Sequence, residues 1–154
     1  MTRASDTAKL LGAGATILDG TTISTADNTD QLTLISTDAD ASRGPRLALT
    51  RNSGSPADND LAGTIKINAK NDANEDIELF EINTTLMDAS DGTEDARMIF
   101  NGIIGGASAN RLNLNSTEAV FNDDSVDLDF RVESNGNANM LFVNGGSDAV
   151  GIGT

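Results

Sequence analysis

The sequence predicts an all-β chain: short antiparallel strands joined by polar turns, of the β-sandwich or β-prism-like kind, with burial completed by oligomerisation. Three observations carry that expectation. Apolar residues alternate at Val126, Leu128, Phe130 and Val132, then at Leu141 and Val143, then at Val150 and Ile152. A period of two is the pattern of a half-buried strand, whose successive side chains point to opposite faces. Asn135-Gly136, Asn144-Gly145-Gly146 and Ser147-Asp148 separate these runs, and such residues accept the positive φ values of tight turns. The same grammar recurs upstream and gives about nine to eleven strands at the ~8–12-residue spacing of all-β folds.

Composition narrows the function classes. The 154 residues fit one domain or two small ones. With 24 acidic and 10 basic residues the net charge is -14, which disfavours nucleic acid and anionic membranes, both polyanionic partners. There is no Cys, His, Trp or Tyr. Disulfides and thiolate metal sites are therefore excluded, and the commonest general base and metal ligand is missing. Aromatics are 3% of residues, all Phe, a poor supply of stacking platforms for sugars or bases. The apolar fraction is 38%, enough for shallow β-layers rather than a thick core, and such chains commonly complete their burial by oligomerising. No apolar run approaches the ~20 residues of a membrane span, so no membrane insertion is expected. The N-terminus lacks the apolar region of a signal peptide.

In chain order, Thr2 to Leu11 has a weak helical pattern, with Ala4, Ala8 and Leu11 on one face, ended by Gly12 and Gly14. Ala15 to Leu18 is a candidate strand. Leu32 and Leu34 alternate with polar residues, as do Leu47 and Leu49 after the turn at Gly44-Pro45; both segments are expected to be strands. Ser53 to Gly63 is a dense cluster of turn formers. Gly63 to Ala69 predicts a strand with Ile65 and Ile67 inward and Lys66 outward. Asp76 to Met87 predicts the longest strand. Its Ile77 and Leu79 lie on one phase, Phe80 and Ile82 on the other, which implies burial on both faces or a β-bulge near Phe80. Asp88 to Ala96 is an acidic turn, and Arg97 to Gly106 and Asn110 to Asn115 are two further strands.

No stretch carries a catalytic, cofactor-binding or metal site. Asp38, Asp40 and Ser42 echo the start of a calcium loop, but Arg43 stands where that loop needs Gly and Leu49 where it needs Glu. The carboxylate pairs Asp58/Asp60, Asp88/Asp91, Glu94/Asp95 and Asp123/Asp124 sit in turn-rich segments, where adjacent acids are ordinarily solvated surface, and self-capping turns account for Asp58 and Asp60. A glycosidase needs two carboxyls facing each other across a sugar, and nothing locates that cleft. Gly145 to Gly153 is similar to a calcium-binding β-roll repeat but has Asp148 in place of its fourth residue, Gly, and occurs once. Gly102, Gly105 and Gly106 lack the Gly-Lys-Ser/Thr ending of a phosphate loop. No cofactor and no enzymatic activity are expected.

From about Thr22 onward the chain resembles tail-fibre and related structural proteins of tailed bacteriophages, especially marine and cyanobacterial ones. The most specific phrases are RNSGSPADNDLAG, residues 51–63, and LFVNGGSDAVGIGT, residues 141–154. The resemblance implies a homotrimeric, β-rich virion component that joins other tail proteins through its N-terminus and carries host recognition outward, with host surface glycans as partners. Residues 1–21 would be the attachment segment, 22–116 a β-rich domain, and 117–154 a C-terminal β-hairpin segment leading into the fibre shaft. In that family further Ser/Pro-rich fibre sequence follows the VGIGT phrase, so a receptor-binding tip is expected outside these residues.

The expectation is thus a virion structural protein acting by assembly. Leu32, Leu34, Ile65, Ile67, Leu112, Leu114, Phe130, Leu141 and Val143 would pack within and between subunits. The alternatives are a capsid decoration protein or self-assembling filament subunit, in which a neighbour completes an exposed strand edge, and a carbohydrate-binding or depolymerising module.

Overall fold

The computed structural model describes residues 20–153. The helical pattern over Thr2–Leu11 and the candidate strand Ala15–Leu18 lie outside the described residues. The chain divides into two units, Met1–Ala48 and Leu49–Thr154.

In the first unit, residues 20–48 contain no helix or strand, and every one of them is exposed. The expected strands around Leu32–Leu34 and Leu47–Leu49 do not form: none of these residues joins a ladder, and Leu32 is 62% exposed. Alternation fixes only which way side chains would point; a strand also needs a neighbour to bond its N–H and C=O groups. Local side-chain bonds hold parts of this segment instead. The amides of Asp38, Asp40 and Ser42 donate in turn to Ser36 Oγ, Asp38 Oδ1 and Asp40 Oδ1. The carboxylates of the calcium-loop look-alike are thus turned toward their own backbone.

The second unit holds eight strands, all antiparallel. A five-stranded sheet runs in chain order through β1 (Asp60–Lys70), β2 (Asp76–Asp88), β3 (Asp95–Ile104), β4 (Ala107–Leu114) and β5 (Ala119–Phe121). A three-stranded sheet follows with β6 (Phe130–Val132), β7 (Leu141–Asn144) and β8 (Ala149–Ile152). The all-β class is therefore as expected. β5 was not expected, and Val126 and Leu128, read as strand residues, precede β6 as loop.

Turn chemistry explains the hairpins. Between β1 and β2, Asn71 Oδ1 accepts from the Glu75 amide while Asn74 takes φ 64°. Between β3 and β4, Gly105 and Gly106 have φ 57° and 87°, the paired positive values of a two-residue type I′ turn. The β7–β8 turn corrects the sequence reading. Of the residues credited there with positive φ, Asp148 alone adopts it, at 51°. The glycines are needed for space: a Cβ on Gly145 would lie 2.7 Å from the backbone of Leu128.

The phase change in β2 is a β-bulge. The register steps from Ile67 opposite Phe80 to Asn68 opposite Glu78, leaving Leu79 unpaired. Lys66 meets both Glu78 at 2.7 Å and Glu81 at 3.8 Å. Residues three apart on a regular strand face opposite ways. The extra residue brings the two carboxylates to one face, and so puts Ile77 on the same side as Phe80 and Ile82.

Candidate functional site, an apolar row across eight strands

Residues directly opposite each other in an antiparallel pair share a face, so the registers define rows. One row contains a single apolar residue from every strand. In the five-stranded sheet it runs Ile65, Ile82, Phe100, Leu112, Phe121. Phe121 then meets Phe130, with ring centroids 4.6 Å apart and ring planes at 44°. From there the row continues through Val143 to Val150. Parallel to it, Ile67 pairs with Phe80 in the larger sheet, and Val132, Leu141 and Ile152 line up in the smaller one.

Little covers this surface. Ile65 is 46% exposed, Phe80 53%, Phe121 52% and Val150 67%. Among the described residues Ala109 is the one buried apolar side chain, beside the buried polar residues Thr85, Asn110 and Asn113. The surface is also hollowed. Ile65, Ile67, Phe80, Ile82 and Phe100, with Glu81 and Asn101, line a groove of about 240 Å³, and Phe121, Val126, Leu128, Phe130, Val143 and Val150, with polar neighbours that include Asn122 and Asp148, line one of about 540 Å³.

Most charges sort to the other side, Asp148 in the larger groove and Arg111 being exceptions. Lys66, Glu78 and Glu81 lie opposite the row, where Asn101 donates to Glu81 at 3.3 Å. In the smaller sheet Arg131, in register with Phe142 and Gly151, faces away from Phe130. Arg111 is different. It is the extra residue of a second bulge, between the pairs Phe100–Leu112 and Asn101–Asn110, and its guanidinium lies over Gly102 next to the Phe80 ring. A Cβ on Gly102 would be 2.8 Å from Phe80 Cε1 and 3.2 Å from Arg111 Nε. Glycine there lets the ring lie flat on the sheet.

The structure also places the carboxylate pairs. Asp58 accepts from the Ala89 amide at 2.9 Å, and Asp60 accepts from the Ala57 amide and pairs with Arg51 at 3.0 Å. Asp88 caps the Ser90 amide at 2.8 Å; that bond lowers its pKa below the ordinary carboxylate value. Asp123 accepts from the Asn113 side chain and Asp124 from the Asn110 amide. Asp58, Asp60, Asp88, Asp123 and Asp124 thus close turns and tie loops to strands. Among the described residues, no three His, Cys, Asp or Glu side chains gather in a metal-holding group. The Glu78 hydrogen bond, then its charge, raise the Lys66 pKa. The NGIIGG stretch is the end of β3 and its I′ turn, and Gly145–Gly153 is the β7–β8 hairpin, where Ser147 N donates to Asn144 Oδ1 at 2.8 Å.

Of the residues expected to pack, Ile65, Ile67, Leu112, Leu114, Phe130, Leu141 and Val143 come together on the apolar faces, while Leu32 and Leu34 join no ladder. Sequence reasoning missed Phe121. It is the last residue of a three-residue strand running into Asn122-Asp123-Asp124, too short for alternation to register. Comparison with known proteins adds no relative: no family model, curated protein or solved structure matches the chain.

Proposed function

We propose that this chain is a non-enzymatic structural protein of a tailed-bacteriophage virion, a shaft or attachment module of a tail fibre that acts as a homotrimer. The observation that carries the reading is a pair of sheets with almost no core of its own, Ala109 being the buried apolar side chain among the described residues. Burying one Val, Leu, Ile or Phe contributes roughly 1.5–3 kcal/mol, so covering the row with further copies supplies what one chain lacks. The phrases around residues 51–63 and 141–154 support the virion setting. In this reading the module joins other tail proteins through its N-terminal segment, and the fibre carries adhesion to the host surface, glycans included.

A second reading, a filament or capsid-decoration subunit, draws support from β1. This eleven-residue edge strand has its ladder partner, β2, on one side, and exposed edges accept strands from neighbours. Light scattering on the purified protein, with negative-stain images of the same sample, tests both. A discrete trimer, elongated in the images, is the expected result. Open-ended polymers would favour the second reading, and a compact monomer would overturn both.

A further inference from the structure

We propose that Asp123, Asp124, Asn110 and Asn113 form a calcium site where the loop after β5 closes over β4. The site lies within one chain and is independent of the assembly reading above.

A bulge builds its floor. Asn113 lies opposite Ile99 and Asn110 opposite Asn101, with Arg111 the extra residue between the two registers. Residues three apart on a regular strand face opposite ways. Here the bulge puts both asparagines on the face that carries Glu81 and Asn101. Asn110 is 9% exposed and Asn113 7%. The side-chain oxygen Oδ1 of each is buried and has no hydrogen-bond partner. Burying an acceptor unmatched is costly, and two of them on one strand face call for an occupant.

The loop supplies the walls. Asn122 N donates to Arg111 O at 3.2 Å and starts the loop across β4. Asp123 Oδ2 then accepts from Asn113 Nδ2 at 2.8 Å, and Asp124 Oδ2 from the Asn110 amide at 2.7 Å. The amide whose Oδ1 lacks a partner is thus the one that touches Asp123, and Asp124 sits on the backbone of the other asparagine. Both acids are exposed, and each keeps its Oδ1 outside these bonds.

Chemistry selects the occupant. Two carboxylates and two amide carbonyls accept and do not donate, so they match a cation rather than an anion. Arg97, on the same face as Ile99, forms no ion pair with either acid among the described residues. Calcium takes roughly 6–8 oxygens from carboxylates, amide carbonyls and water in flexible geometry, whereas magnesium demands a near-ideal octahedron. Only two of the four ligands are charged, which places the Kd on the order of 10⁻⁴–10⁻³ M.

Calcium titration of the chelator-treated full chain, by calorimetry and by thermal melts, is the test. One saturable site per chain is expected, with a Tm that rises as calcium is added. Asp123→Asn and Asp124→Asn each keep an oxygen for the existing hydrogen bond, so they remove charge and leave the loop fastened. Each is expected to weaken calcium binding at least about tenfold, while Asp91→Asn, in the acidic turn between β2 and β3, leaves it unchanged. Absence of saturable binding to the parent chain would overturn the site. So would equal binding to Asp91→Asn and Asp124→Asn, the behaviour of a diffuse counterion cloud around a chain of net charge -14.

Discussion

Phe121 and Phe130 join the two sheets of the second unit through a ring contact at 4.6 Å. One residue closes β5, the other opens β6, and the eight residues between them form an acidic loop. That loop is fastened independently: Asn122 exchanges two hydrogen bonds with the backbone of Val126, and Asp123 and Asp124 tie down onto β4. The ring contact is thus where the apolar surfaces of the two sheets become one.

Placing a charge on that surface tests whether it works by being covered. Phe130→Asp and Leu114→Asp are each expected to abolish assembly, since a carboxylate buried in a seam without a partner costs several kcal/mol. Light scattering and thermal melts read the outcome. Soluble oligomers of both variants that melt like the parent would show that these residues lie outside the contact.

Gly102 is expected to resist enlargement. Gly102→Ala puts a methyl 2.8 Å from Phe80 Cε1, and overpacking of this kind costs roughly 1–3 kcal/mol. Since the nearest obstacle is one ring, with Arg111 Nε next at 3.2 Å, Phe80→Leu in the same chain should recover part of the loss. Denaturant titration of the single and double variants checks this; strictly additive effects would refute the coupling.

Gly145 presents the opposite case, an obstacle that cannot turn aside. Its Cβ would strike the backbone of Leu128 at 2.7 Å, so Gly145→Ala must push the β7–β8 hairpin off residues 127–129. A loss of at least about 1–3 kcal/mol is expected, without rescue by Leu128→Ala, which leaves the backbone in place. Rescue by that second substitution would count against the reading.

Stability should decline at both ends of the pH scale for different reasons. The folded pKa of Lys66 is raised by its bond to Glu78. Its contribution is therefore whole below about pH 10.4, the ordinary lysine value, and is lost as pH climbs through the higher folded value. The folded pKa of Asp88 is lowered by the Ser90 amide. Its contribution is whole above about pH 3.9 and is lost as pH falls through the lower folded value. Glu78→Gln should flatten the alkaline limb of a Tm profile. Parallel alkaline limbs would speak against a role for the pair.

The β grammar was legible where a strand has a neighbour close by in sequence. Asp76 to Met87 was found almost to its ends and Gly63 to Ala69 as the later part of β1, and of the two readings of the phase change at Phe80, burial on both faces or a bulge, the structure shows the bulge, at Leu79. The same alternation misled at Leu32–Leu34 and Leu47–Leu49, because the pattern describes side chains and a ladder needs a second backbone. At the Asn144–Asp148 turn the glycines were credited with the wrong property: Gly145 is required by the proximity of Leu128, some seventeen residues upstream, which no local rule can foresee. The row itself was half visible. Its members in the longer strands were named, but their alignment depends on registers that shift at four places in the larger sheet, of which the apolar pattern hinted at one.

In both sheets spatial order repeats chain order, each strand lying beside its predecessor. Such a plan has no fixed length. A further hairpin spliced in at the Gly105-Gly106 turn would displace no existing crossover and would extend the sheet by two strand widths, roughly 10 Å. Gain or loss of whole hairpins is therefore a way to change reach in quantised steps, with the side-chain pattern on each inserted strand the one condition to be met.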